Sequence, residues 1–108
     1  MNNNLVPFEN DVIGGLLLSP DLAEHIPKGF QAEWIPGEQQ VRVFRWIMKK
    51  VASGIIPDTR LLADEMPDDL EYAYKVIGEI PTIANFKVYL GKLLLYCLLY
   101  TSPSPRDS

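Results

Sequence analysis

The chain has 108 residues, is 47% apolar and carries a net charge of −4, which points to one globular domain and excludes disorder. One cysteine excludes an internal disulfide framework and any CxxC metal site. Met1-Asn2-Asn3-Asn4 lacks a signal peptide's basic and apolar regions, and the longest charge-free apolar run, Leu93 to Tyr100, is far short of the roughly 20 residues of a membrane span. A cytoplasmic chain with no membrane contact is the expectation.

In chain order, the segments between prolines and glycines read as helices. Glu9 to Leu18 sets Val12, Ile13, Leu16 and Leu17 at helical spacing, with Gly14-Gly15 inside the pattern. Each glycine costs about 1 kcal/mol relative to alanine, a cost tolerated where another backbone packs closely. Ser19-Pro20-Asp21 supplies an N-cap, an N1 proline and a first-turn acid for a short helix to about Ile26, closed by Pro27-Lys28-Gly29. Residues 31–37 read as a loop.

Glu38 to Ser53 is the strongest helix, with a stripe of Phe44, Ile47, Met48 and Val51 and with Gly54 at the C′ position. Asp58 caps a short helix to about Met66. Pro67-Asp68-Asp69 restarts one that runs to about Ile77 and ends at Gly78. The last helix, Thr82 to about Leu95, lines Ile83, Phe86, Tyr89, Leu90, Leu93 and Leu94 along one side. No stretch alternates with period two. The fold class is therefore all-α, a small bundle of about six short helices.

Residues 96–108 stand apart, because Tyr96 to Tyr100 lose the periodicity and the Ser-Pro-Ser-Pro segment cannot be helical. The string CLLYTSPSPRDS resembles the translated read-through of a sequencing-library adapter. The expectation is a domain over residues 5–95 and a non-native or disordered tail over 96–108.

Charge is blocked along the chain. Residues 41–57 hold Arg42, Arg45, Lys49 and Lys50 without an acid, between two segments of net charge −5. Arg42, Arg45 and Lys49, spaced by three and four, share a helical face that could touch phosphates or an acidic partner, although a solvated face is the plainer reading. His25, the single histidine, has no partner for a metal site or a nucleophile pair and reads as an exposed side chain near a helix end. Asp64-Glu65 and Asp68-Asp69 read as caps and solubilising charges, and Trp34 and Trp46 as core. No phosphate loop, GxGxxG, HExxH or GxSxG is present, so no residue is assigned a catalytic, cofactor or metal role. The apolar side of the last helix exceeds what its own packing needs, so Phe86, Tyr89, Leu90 and Leu93 are the candidate interface with another chain.

The run Glu9-Asn10-Asp11-Val12-Ile13-Gly14-Gly15-Leu16-Leu17-Leu18 resembles E-x-x-V-L-G-G-L-L-L, which opens the amino-terminal domain of DnaB-type replicative DNA helicases. Val43-Phe44, Gly54, Pro57-Asp58 and Leu62-Ala63 keep that family's order of I-F, G, I-D and L-A. Tyr72, then Pro81-Thr82-Ile83-Ala84-Asn85-Phe86 with Tyr89 behind, resembles its Y…P-S-A-A-N-I-x-x-Y segment. The family's P-H-R-x-I-F reads Gln39-Gln40-Val41-Arg42-Val43-Phe44 here, and the link from Met66 to Tyr72 is shorter, which fits a phage-encoded or otherwise divergent member.

The resemblance implies a helical head followed by a long hairpin, of which the last helix would be the truncated first arm. Hairpins of neighbouring subunits pair into the collar of a homo-hexamer that recruits a primase or helicase loader. ATP, magnesium and most of the DNA contact belong to a separate motor domain absent from this sequence. On this reading Leu16, Leu17, Phe44, Ile47, Met48, Val51 and Leu62 form the core, and the fragment is a monomer or weak dimer. The alternative is a small nucleic-acid-binding or phage replication accessory module working through Arg42, Arg45 and Lys49. A third reading, a small hydrolase using the clustered acids, needs a cleft to gather them.

Overall fold

All six expected segments are helical in the computed structural model, which describes residues 8–80 and 82–100, the last three as backbone only. Five are α-helices: α1 (Glu9–Leu18), α2 (Glu38–Ala52), α3 (Thr59–Glu65), α4 (Leu70–Glu79) and α5 (Phe86–Tyr100). No strand occurs among the described residues.

The sixth, Pro20–His25, is a 3₁₀ helix, and the Ser19 side chain makes no capping bond. Only seven residues lie between Ser19 and Pro27, too few for two full α-turns. Short 3₁₀ turns also stand at Ala32–Trp34, inside the expected loop, and at Pro67–Asp69 and Ile83–Asn85.

Helix α1 is the hub. It touches α2, α4, α5 and the Pro20–His25 turn. Seven of its ten residues, Glu9, Val12, Ile13, Gly14, Gly15, Leu16 and Leu17, are buried. A helix buried on nearly every side needs backbone that lets neighbours come close, and the two glycines supply it. A Cβ on Gly14 would stand 2.7 Å from the Val76 carbonyl oxygen of α4, and one on Gly15 would stand 2.7 Å from the Phe86 ring of α5.

The ends of the other helices follow local chemistry. Helix α2 closes with Gly54 at φ 76°. The Ile55 amide donates to the Lys50 carbonyl and the Gly54 amide to that of Val51, the paired bonds of a Schellman motif. Asp58 caps α3 as its sequence suggests, accepting from the Leu61 amide at 2.8 Å.

Helix α4 does not stop at Gly78. It runs to Glu79 and breaks at Ile80 (ψ 126°), the residue before Pro81, where the helical conformation is disfavoured. The Thr82 hydroxyl accepts from the Ala84 amide at the start of the last segment.

Helix α5 extends five residues past the expected end at Leu95. Residues 96–100 contain no proline or glycine, and Cys97 continues the inward row of Phe86, Leu90 and Leu93. The remainder of the expected tail, residues 101–108, lies outside the described residues.

The core gathers Val12, Ile13, Leu16, Val43, Ile47, Leu62, Val76 and Leu93, with Leu17 and Phe44 beside them. The buried face of α2 is turned toward Val43 and Trp46, which leaves Met48 and Val51 half-buried.

The glycines give a contrast that unfolding in urea can measure. Gly14→Ala should destabilise by a net of about 1–2 kcal/mol, because its Cβ meets backbone that cannot yield and the clash outweighs the gain in helix propensity. Gly78 and Gly91 have open space around a Cβ, so alanine at either should stabilise by about 0.5–1 kcal/mol.

Candidate functional site

The three cations read as a face of α2 are exposed on one side of it, but two of them are engaged within the chain. Arg42 Nη2 donates to Asp69 Oδ1 at 2.7 Å and its Nε to Oδ2 at 3.1 Å, a two-pronged pair. Asp69 is only 3% exposed, and Gln39 Nε2 donates to it at 3.0 Å. These donors, led by Arg42, hold its carboxyl below the usual carboxylate range. Asp69 is thus a buried link between α2 and the start of α4, and the expected solubilising role is corrected.

Arg45 donates to Glu33 at 2.5 Å, with both side chains more than half exposed. Lys50 and the Trp46 indole share Glu65, each at 2.9 Å, and lower its pKa. Among the described residues no ion pair holds Lys49. The basic face is real in outline, yet its two guanidinium groups already face carboxylates that a phosphate would have to displace.

The candidate interface also lands elsewhere. Phe86, Leu90 and Leu93 are 1%, 5% and 0% exposed, and Tyr89 is half-buried with its ring stacked on Phe8 at 5.8 Å. The face expected to meet a neighbouring subunit is the wall of the domain's own core. The apolar excess was legible; what covers it is α1.

The smaller expectations divide. Trp46 is buried, whereas Trp34 is half-buried, edge-on to Phe30, which itself meets Phe44. His25 is partly exposed beside Glu24 and tilted against the Phe86 ring. Glu65, Asp68 and Asp69 line one open groove with Arg42 and Arg45, where Asp69 is taken up by Arg42 and Glu65 by Lys50 and Trp46, while Asp64 lines another. Among the described residues no three metal-ligating side chains come together, and no helix is long and apolar enough to cross a membrane.

A polar cluster at the contact of α1 with α4 escaped the sequence reading. The Tyr72 hydroxyl donates to Asn10 Oδ1 at 2.5 Å, and Gln40 reaches the same oxygen from α2 at 3.5 Å. Glu9 is 6% exposed, and its Oε1 has no hydrogen-bond partner among the described residues. Burial raises the pKa of Glu9 and of Asp11, with Asp11 raised further by the nearby Glu79, and burial raises Tyr72 as well. Asn10 and Tyr72 lie 62 residues apart, and local sequence carries no sign of their bond.

Comparison with protein-family models, with curated proteins and with solved structures finds no match to this chain.

Opposite pH dependences follow from the two carboxylate groups. Stability held by Glu9 and Asp11 is present when they are protonated and is lost as pH rises through their elevated pKa values. Stability held by Asp69 and Glu65 is lost as pH falls through their lowered values. Glu9→Gln should therefore raise the thermal midpoint at pH 7, with the advantage vanishing below the ordinary carboxyl value of 4.5. Arg42→Ala should lower the midpoint clearly more than Arg45→Ala, because only the first strands a buried carboxylate.

Proposed function

We propose that this chain is the amino-terminal assembly and docking domain of a hexameric replicative DNA helicase. Its own residues scaffold subunits and present a surface to a primase or loader, and ATP-driven chemistry belongs to a motor domain this sequence does not include.

The observation that carries the reading is that the separate segments of the family resemblance meet one another in the fold. Gly15 of the first segment leaves no room for a Cβ beside the Phe86 ring of the last. Tyr72, which opens the third segment, bonds Asn10 of the first. Between them, Gly54 ends α2, Asp58 caps α3 and Leu62 is fully buried. Gly15, Val43, Phe44, Leu62, Tyr72 and Phe86 of these segments are joints of one packing scheme, while Gly54, Asp58, Ile83, Ala84 and Asn85 lie exposed at its turns.

Two further features support it. The sequence has no phosphate loop, in keeping with a motor carried elsewhere. Helix α5 runs unbroken from Phe86 through Leu95, the last residue of the expected domain, as the start of a hairpin's first arm would. The nucleic-acid reading has less behind it, because Arg42 and Arg45 are committed to Asp69 and Glu33.

An uninterrupted read of the gene beyond the codon for Leu95 tests the proposal. A second hairpin arm and then a GxxxxGK[ST] loop are expected, and a gene that ends or continues without that loop sinks the reading. The purified chain should show no ATP hydrolysis or strand separation, and either activity would overturn it.

A further inference from the structure

A groove of about 350 Å³ lies between the Pro20–His25 turn and the end of α2. Side chains three apart in a 3₁₀ helix stand one above the other, so the turn sets Pro20 and Ala23 in one row and Asp21 and Glu24 in the next. Both rows line the groove, and Met48, Val51, Ile55 and Ile56 line it from the side of α2. Ile55 and Ile56 are 43% and 67% exposed, although isoleucine is among the residues most often buried. Their backbone is fixed. The Ile55 amide donates to the Lys50 carbonyl in the closure of α2, and the Asp58 amide donates to the Ile56 carbonyl at 2.9 Å.

Among the described residues that line the groove, two are acidic and none is basic. No cation among the described residues pairs with Asp21, and Glu24, its side chain 75% exposed, meets only His25, at 3.9 Å. These carboxylates differ from Asp69, Glu33 and Glu65, each of which already holds a cation. The backbone limits the occupant further. The Gly54 and Ile55 amides and the Ile56 carbonyl are engaged within the chain, and Pro20 and Pro57 have no N–H. An extended peptide would find no ladder to join here, whereas a helix brings its own backbone bonds. Apolar walls with a carboxylate edge therefore select an amphipathic helix whose apolar stripe is bordered by lysine or arginine.

We propose that this groove docks a basic amphipathic helix of a separate partner protein, with large apolar side chains seated on Met48, Val51 and Ile56 and a lysine or arginine beside Asp21 and Glu24. Among the described helices, α2 and α5 come nearest to that pattern, and neither can serve. Arg42 and Arg45 of α2 are paired with Asp69 and Glu33, and on the assembly reading the outer side of α5 is covered by the rest of its hairpin. The inference rests on the docking role proposed above and adds to it a place on the domain and the chemistry of the client. A groove of this size takes a few side chains, so the contact falls below the roughly 1,000 Å² of a stable interface and is weak and exchangeable.

The test is an NMR titration of the isotope-labelled 108-residue chain with a designed helical peptide of about 18 residues, leucines at i, i+3, i+4 and i+7 bordered by lysines. In about 0.15 M salt, saturable binding with a Kd on the order of 100 µM is expected, with shift changes centred on Ala23, Ile55 and Ile56. The same peptide with glutamate in place of lysine should not bind. The variants I55S/I56S and D21K/E24K, all at exposed positions, should keep the wild-type melting curve and weaken binding about tenfold or more. D21K/E24K should instead take up the glutamate peptide. D64K/E71K, which reverses as much charge at exposed positions away from the groove, should change binding less than about twofold. No saturable binding by ~1 mM, equal binding of the two peptides to the wild type, variants that bind like the wild type, or an equal loss in D64K/E71K overturns the proposal. If the wild type self-associates and I55S/I56S disperses it, the groove belongs to a second copy and the proposal is wrong. Each of these outcomes leaves the gene-level test of the helicase reading intact, just as a gene without a phosphate loop would leave the titration result standing.

Discussion

The approach of α4 and α5 to the glycine pair in α1 is the constraint on which the rest of the structure depends. An ordinary side chain at Gly14 would press on the Val76 carbonyl, and one at Gly15 on the Phe86 ring. Because both gaps are closed by backbone and ring, one ten-residue helix serves as the inner wall for three others. A domain this small has little interior to distribute, and a hub helix buried on nearly every side makes the most of it. The cost of two mid-helix glycines, about 1 kcal/mol each, is offset by contacts that no larger residue would permit.

The polar groups near this hub follow from the same geometry. Helices drawn close at α1 and α4 bring Asn10 against Tyr72 and carry Glu9 out of water. Across α2 the effect is reversed in sign: buried Asp69 is satisfied by Arg42 and Gln39, and half-exposed Glu65 by Lys50 and Trp46. Cations that the sequence places in one block are thereby shared out among acids from the flanking blocks. Charge segregation along the chain becomes charge pairing in space, and the net basic character of the α2 face largely disappears.

Local rules were enough for much of this. Hydrophobic spacing located the six helical segments, the Asp58 cap and the Gly54 terminus, because each depends on residues within one or two turns. The same spacing identified the inward side of α5 but assigned it to the wrong partner. Periodicity reports that a face is covered and carries no information about what covers it. The Arg42–Asp69 pair spans 27 residues and the Asn10–Tyr72 bond 62, so neither leaves a local trace. Gly78 failed as a stop signal for a related reason: glycine permits a helix to end, whereas proline after Ile80 compels it.

Helix α5 shows how the packing bears on assembly. Near its start Tyr89 stacks on Phe8, and near its far end the Cys97 thiol donates to the Trp34 carbonyl at 3.3 Å. Between these ties Leu90 and Leu93 are sunk in the core. From Phe86 to Cys97 the buried residues of the helix, Phe86, Leu90, Leu93 and Cys97, form one inward row. Rigid presentation matters most for a small contact, because ordering a mobile segment would consume the modest free energy that a few apolar side chains release.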